Sequence, residues 1–494
     1  MYYIGFDIGS SSIKASIVDA ESKSSLATAS YPDEEMSMLS VEPGWAEQDP
    51  EDWWKYVCEA SKKVLSKSGI DGRKVVGIGL SYQMHGLVLV DENLEVLRPS
   101  IIWCDGRAVP FGNQAFSELG DEKCLSHLLN SPGNFTASKL KWVKEHEPDV
   151  FSRIHKMMLP GDFIAMKMTG EVNTTISGLS EGILWDFKNN EIAGFLLDHL
   201  GIDRALIPEV INTFDHSGQL TIDSANHLGL KEGTPVVYRA GDQPNNALSL
   251  GALNAGDVAA TGGTSGVVYS VSDRIVYDPK SRINGFAHVN HTKDQIRIGS
   301  LLCINGTGIQ HRWIKQLLGN RLSYEALELE ASKAGAGSDG VCVLPFGNGA
   351  ERMLENKDIG GHILGLNFNR HDQSNLIRAG LEGIAFSFVY GLEILKELGS
   401  EVAKMRVGND NLFQSKIFSE TIATLIDCEI EMVETTGATG AAQAVGYALK
   451  HSNSIEEALG SSNLSGTYSP VPREYDALKK SYNAWKQSLE KFLA

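Results

Sequence analysis

At 494 residues the chain is longer than a single hydrophobic core normally supports, so two sizeable domains are expected. Hydrophobic residues make up 42% and charged residues 21%, which excludes a disordered chain; 62 acidic against 44 basic residues, with no basic block, argue against a nucleic-acid partner. The six cysteines are dispersed without a C-x-x-C pair, which points to a reduced, cytoplasmic setting, and no apolar run is long enough to cross a bilayer, so no membrane role is expected.

The opening reads as a hairpin: Tyr2 to Asp7, a turn over Gly9 to Ser12, then Ile13 to Asp19. Asp7 ends the first strand just before the Gly/Ser turn, where Ser10 and Ser11 lie in a loop whose N–H groups can surround phosphate. Next comes a helix with Asp49 as N-cap and Pro50 as first residue; Trp53, Val57, Ala60 and Val64 share one face and Gly69 stops it. Val75 to Ser81 and Gly86 to Val90 read as buried strands, with Gln83, Met84 and His85 at their junction. Strands and helices alternate as far as Asp242, the signature of α/β architecture.

Asp242 ends an apolar strand, with a helix expected to open at Pro244. A carboxylate at the carboxyl end of a strand can face the cleft where open α/β sheets bind ligands. Two such acids far apart in sequence fit phosphoryl transfer, one organising a metal and one acting as base. Taken singly, Asp242 could equally be a helix cap and Asp7 a turn former. From about Ala247 the pattern restarts. Gly263-Thr264-Ser265 overlays Gly9-Ser10-Ser11, and Thr261 stands where Asp7 stands, so two related halves are expected and only the first carries the acid.

No G-x-x-x-x-G-K-[ST] occurs, which removes the P-loop. The G-x-G-x-x-G at Gly335, Gly337 and Gly340 precedes an apolar run instead of following one, and reads as a helix-to-strand turn. The segment from Arg406 ends a short strand and leads, through Gly408 and Asn409, to a helix containing Phe418 and Ile422. That suits nucleotide binding, or an ordinary strand–turn–helix connection.

Assembled in order, these segments resemble the FGGY family of carbohydrate kinases over nearly the whole chain. The resemblance is carried by Gly-Phe-Asp-Ile-Gly-Ser-Ser-Ser-Ile-Lys at the start, Glu-Gln-Asp-Pro-Glu-Asp-Trp-Trp, Lys139-Leu140-Lys141-Trp142, and Ala-Thr-Gly-Gly-Thr-Ser-Gly. Gly361 to Gly365 followed by Arg378 to Gly383 completes it. It implies an actin-like fold of two ribonuclease-H-like domains closing on a cleft: residues 1–246 for the sugar and the base, residues 247–494 mainly for ATP. It further implies sugar contacts from Gln83, Met84 and His85, with Trp103 and Asp105 in a neighbouring segment. Phosphate contact falls to Gly263 and Thr264, and a second nucleotide-facing segment holds Gly306 and Gln310. The family's frequent Gly-Gly-Gly-Ala loop is replaced by Gly408-Asn409-Asp410-Asn411, which puts contacts there in question.

The mechanism implied has Asp242 as general base and Asp7 organising Mg²⁺, with both carboxylates as metal candidates. The reaction implied is ATP plus D-xylulose giving D-xylulose 5-phosphate. Ribulose, fuculose, rhamnulose and glycerol remain as other acceptors, and a sugar-independent actin-like ATPase is the remoter alternative. Assembly as a homodimer is left open.

Overall fold

Alternating strands and helices build two mixed sheets that share one topology. In the computed structural model, which describes residues 1–460 and 464–494, the first sheet contains β1 (Tyr2–Ile8), β2 (Ile13–Asp19), β3 (Ser25–Tyr31), β4 (Val75–Tyr82) and β5 (Pro235–Gly241). The second contains β6 (Asp257–Gly262), β7 (Gly266–Ser272), β8 (Ile298–Ile304), β9 (Lys404–Gly408) and β10 (Ile430–Val433). The strand orders are β3-β2-β1-β4-β5 and β8-β7-β6-β9-β10, with short edge strands added at Gly218–Gln219, Asn284–Ala287 and Leu464–Tyr468. In each sheet the first three strands form an antiparallel meander and the last two run parallel to its first strand. The internal repeat is therefore real at the level of register: Asp7 is the next-to-last residue of β1 and Thr261 the next-to-last of β6.

Helix α1 (Pro50–Ser68) forms as its sequence dictates. The Asp49 side chain accepts from the Glu51 N–H, Pro50 starts the helix, and Gly69 ends it in a left-handed conformation. Its Trp53, Val57, Ala60 and Val64 are buried, and it packs on β2 and β3. The short strand after the Gln83–His85 junction covers only Val88–Val90.

Further helices are α2 (Thr136–His146), α3 (Ile176–Glu181), α4 (Asp242–Ser249), α5 (Gly308–Leu317), α6 (Tyr324–Ala331), α7 (Gln373–Glu397), α8 (Lys416–Ile426) and α9 (Gly437–Ala448). Helix α4 opens at Asp242, two residues earlier than Pro244 suggests. Gly241 takes the cap position, and the Asp242 carboxyl lies in the first turn beside the Gln243 N–H.

The two halves interlock through α9. This helix belongs to the second half by sequence, yet it lies across β1 and β4 of the first sheet and beside α4. Its glycine-and-alanine composition permits the approach, and so do the glycines below it: a Cβ on Gly5 would collide with the Ala438 carbonyl, and one on Gly79 with the Ala441 carbonyl. The residue 246/247 division expected from the sequence falls inside α4.

Candidate active site

Strand register brings the two aspartates together. β4 lies between β1 and β5, and both Asp7 and Ala240 are registered against Ser81, so the parallel strands end at a common level. The Ser81 hydroxyl donates to Asp7 Oδ1 at 3.0 Å. Gly437, the first residue of α9, closes the other side: a Cβ there would sit 2.9 Å from Asp7 Oδ2 and 3.2 Å from Asn246 Oδ1. Burial raises the Asp7 carboxyl above its ordinary range. Asp242 is pushed up to about 8, first by burial and then by the nearby charges of Asp7 and Glu181. Two cations lie near the site: Lys14, the cross-strand partner of Asp7, whose charge acts on that carboxyl, and the half-buried Arg352, whose charge is felt at His85. Neither side chain has a hydrogen bond or ion pair among the described residues.

His85 stands at the same end of β4, in a left-handed turn with φ +64. Its Nδ1 lies 2.9 Å from the Glu181 carbonyl oxygen. A carbonyl can only accept, so Nδ1 carries the proton and Nε2 keeps a lone pair. Burial pulls the imidazole down to about 3 and holds it neutral. Phe135 and Phe286 wall the ring, with centroids 4.7 and 5.6 Å away. Met84 packs against Gly241, and Gln83 is buried with its Nε2 donating to Gln48 Oε1 at 3.2 Å. Gln48 in turn donates to the Ser10 carbonyl at 2.7 Å, tying the sugar-side junction to the Gly/Ser turn. Trp103 is 52% exposed, its indole N–H 3.3 Å from the Ser10 hydroxyl, while Ser11 is exposed on the same turn.

Asp105 is a correction. It is 0% exposed, its two oxygens take a bidentate pair with Arg107, and Oδ2 also accepts from the Ala46 N–H at 2.6 Å. The carboxylate is consumed internally and presents nothing to a sugar. Arg107 in turn stacks over Trp45 at 3.8 Å, so the Trp103-to-Arg107 segment is braced by packing.

On the second sheet, Gly263 and Thr264 line a cavity of about 610 Å³ together with Gly308, Ile309 and Arg312 of α5, Tyr324 of α6, and Asn411 and Leu412. The turn is held from behind. The Thr307 hydroxyl donates to the Gly263 carbonyl at 3.0 Å, and the Gly308 N–H does the same. The other nucleotide-side candidates do not reach this cavity. Gly306 is packed so tightly that a Cβ would collide with the Pro345 carbonyl, and its N–H serves Glu351. Gln310 is turned toward Gly380, with both amide atoms buried and unpartnered among the described residues. Gly408 and Asn409 stop short of the wall, which Asn411 and Leu412 supply instead. The cause in that loop is visible: Asp410 crowds Gly408, and Asn409 donates its N–H to the Val433 carbonyl.

One residue of the site carries no motif in the sequence. Glu181 is 1% exposed, accepts from the His85 N–H at 2.7 Å, and is raised to about 8, chiefly by burial. It sits in Ser-Gly-Leu-Ser-Glu-Gly, where neither periodicity nor spacing marks it. Lys139 of the Lys-x-x-Trp segment is likewise buried, donates to the His85 carbonyl at 2.7 Å and the Ile102 carbonyl at 3.0 Å, and is pulled down to about 7.

Residues 2–249 match the model of the N-terminal domain of the FGGY family of carbohydrate kinases, and residues 258–449 match that of its C-terminal domain. The chain is 30% identical over 407 residues to the xylulose kinase of Bacillus subtilis, covering 81% of this chain and 79% of that one. In structure it resembles the xylulose kinase of Rhodospirillum rubrum, with a TM-score of 0.89 at 25% identity and complete coverage of both chains. A gluconate kinase from Lactobacillus acidophilus shares the fold, with a TM-score of 0.88 at 23% identity, covering 100% of this chain and 98% of that one.

Proposed function

The chain belongs to the FGGY family of carbohydrate kinases and is an ATP-dependent sugar kinase of the actin-like ATPase fold, and from that premise we propose that it phosphorylates D-xylulose to D-xylulose 5-phosphate with Asp242 as general base. The observation that carries the reading is the convergence at one sheet end of Asp7, Asp242 and a neutral His85 with its Nε2 lone pair free. A ketose hydroxyl donates to Nε2, and a second hydroxyl lies against Asp242. The relatives named xylulose kinase support this choice of acceptor.

Transfer needs alignment and charge neutralisation more than covalent help. The sugar oxygen attacks the γ-phosphorus, the bond to the departing ADP oxygen breaks, and the hydroxyl proton passes to Asp242. A carboxylate raised by burial and a like charge holds that proton better than one in water. The Gly263–Thr264 turn and the 610 Å³ cavity beside it hold the nucleotide. Lys14, whose charge acts on Asp7, adds positive potential on that side of the site.

Asp7 and Asp242 also fit Mg²⁺. Their mutual repulsion is what a cation relieves, and Mg²⁺ takes one or two carboxylates plus substrate phosphates in preference to an all-protein cage. When bound, the ion supplies charge neutralisation along the polyphosphate. We place the sugar and base functions in residues 1–246 and most of the ATP contacts in 247–494, with closure of the halves excluding water. The dispersed cysteines support a cytoplasmic setting, and homodimerisation is retained as an option for assembly.

The deciding experiment is a coupled assay of wild-type enzyme on D-xylulose, D-ribulose, L-ribulose, L-fuculose, L-rhamnulose, gluconate and glycerol. D-xylulose is expected to give the highest kcat/KM. Preference for another acceptor overturns the substrate while leaving the family intact, and rapid ATP turnover without any sugar would favour the ATPase alternative.

A further inference from the structure

A left-handed backbone is unfavourable for any residue with a Cβ, yet His85 adopts it inside the site. The conformation is clamped from both sides. Lys139 Nζ takes the His85 carbonyl, and Glu181 Oε2 takes the His85 N–H, each at 2.7 Å. Glu181 holds the ring as well, through its own carbonyl on Nδ1. A carboxyl buried to this degree is costly to place unless its contacts matter.

The rest of the Glu181 side chain reaches the base. Its Oε1 and the Tyr82 hydroxyl are buried side by side, and neither has another partner among the described residues. Oε1 lies 3.4 Å from where a Cβ on Gly241 would be, against the residue that leads into Asp242. One carboxyl thus spans the two groups that a sugar must satisfy at once: the lone pair on His85 Nε2 and the base at the end of the adjacent strand.

We propose that Glu181 is the positioning residue for acceptor specificity: by clamping His85 and packing against Gly241, it sets the spacing between His85 Nε2 and Asp242, and so selects which pair of acceptor hydroxyls fits. This rests on the acceptor reading given above. The spacing acts on recognition of the sugar, so the nucleotide half should not register its loss.

The test is run with whichever acceptor the wild-type enzyme uses best. Glu181→Ala is expected to raise the acceptor KM about tenfold or more, to lower kcat by less, and to leave the KM for ATP within about twofold. Preference across the sugar panel should flatten. Because Glu181 acts through His85, the double variant Glu181→Ala/His85→Ala should be no worse in acceptor KM than His85→Ala alone. Should Glu181→Ala not fold, as judged by circular dichroism, Lys139→Met releases the other end of the clamp and carries the same expected rise in acceptor KM. Glu181→Gln, which keeps an oxygen in place, should recover most of the loss. A folded Glu181→Ala or Lys139→Met with wild-type acceptor KM and preference overturns the proposal, and so does full additivity with His85→Ala. A wild-type panel led by another sugar overturns D-xylulose but leaves this test in force.

Discussion

Asp242 occupies the first turn of α4 while Gly241 serves as the cap, and this separates its chemistry from its structural surroundings. Asp242→Asn should therefore keep the fold and the melting temperature close to wild type while kcat falls by about 10²–10⁴-fold, the range expected for loss of a general base. Single-turnover phosphorylation together with thermal melting checks both halves; substantial activity in the folded variant would remove Asp242 from the role. Asp7 is held by Ser81 and faces Gly437 without any salt bridge of its own among the described residues. Asp7→Ala should lower turnover severely and shift the Mg²⁺ titration of the rate to higher concentration. An unchanged titration curve at wild-type rate would return Asp7 to the role of a turn residue. Asp105 shows the limit of a motif at this scale: its position beside Trp103 suggests sugar contact, but Arg107 and the Ala46 N–H occupy its lone pairs.

At the scale of elements, α9 governs how the halves meet. It seats on Gly5 and Gly79 of the first sheet, and its first residue abuts Asp7, so packing and site geometry are coupled through one helix. Gly79→Ala places a methyl against the Ala441 carbonyl, a backbone atom that cannot rotate away. The variant should lose at least about 1–3 kcal/mol, as overpacked sites do, and should lose activity in parallel as α9 shifts from Asp7. Urea midpoints and kcat measured on the same preparation test this; a fully stable, fully active variant would mean that α9 is not seated so closely. The nucleotide side makes a related point. The turn at Gly263 and Thr264 is legible as a repeat of Gly9 and Ser10, but the contribution of the later loop falls on Asn411 and Leu412 because Asp410 and Val433 hold Gly408 and Asn409 aside.

The whole molecule depends on covering the first sheet with a helix from the second half of the chain. Tyr3, Val18 and Val237 of that sheet pack with Ala442 and Val445 of α9 in one apolar cluster. A fragment ending at residue 249 leaves this face bare, and is expected to show no cooperative unfolding transition and to aggregate. Calorimetry of the fragment against the full chain decides it, a sharp transition in the isolated fragment being the contrary result.

Local chemistry alone determined the opening hairpin, the capped α1, the repeat that relates β1 to β6, and the strand-end setting of Asp7 and Asp242. Each of these follows from side-chain periodicity, a capping residue or a turn glycine within a few positions of sequence. Family resemblance added the order of segments and the expected roles. Only the tertiary structure decided which candidates share a site. It turned Gln310 toward Gly380, spent Asp105 on Arg107, and brought Glu181 and Lys139 onto the backbone of His85. Those pairings join residues separated by between two and 96 positions, and the longer ones are set by sheet register and helix packing, to which the sequence pattern around each residue is blind.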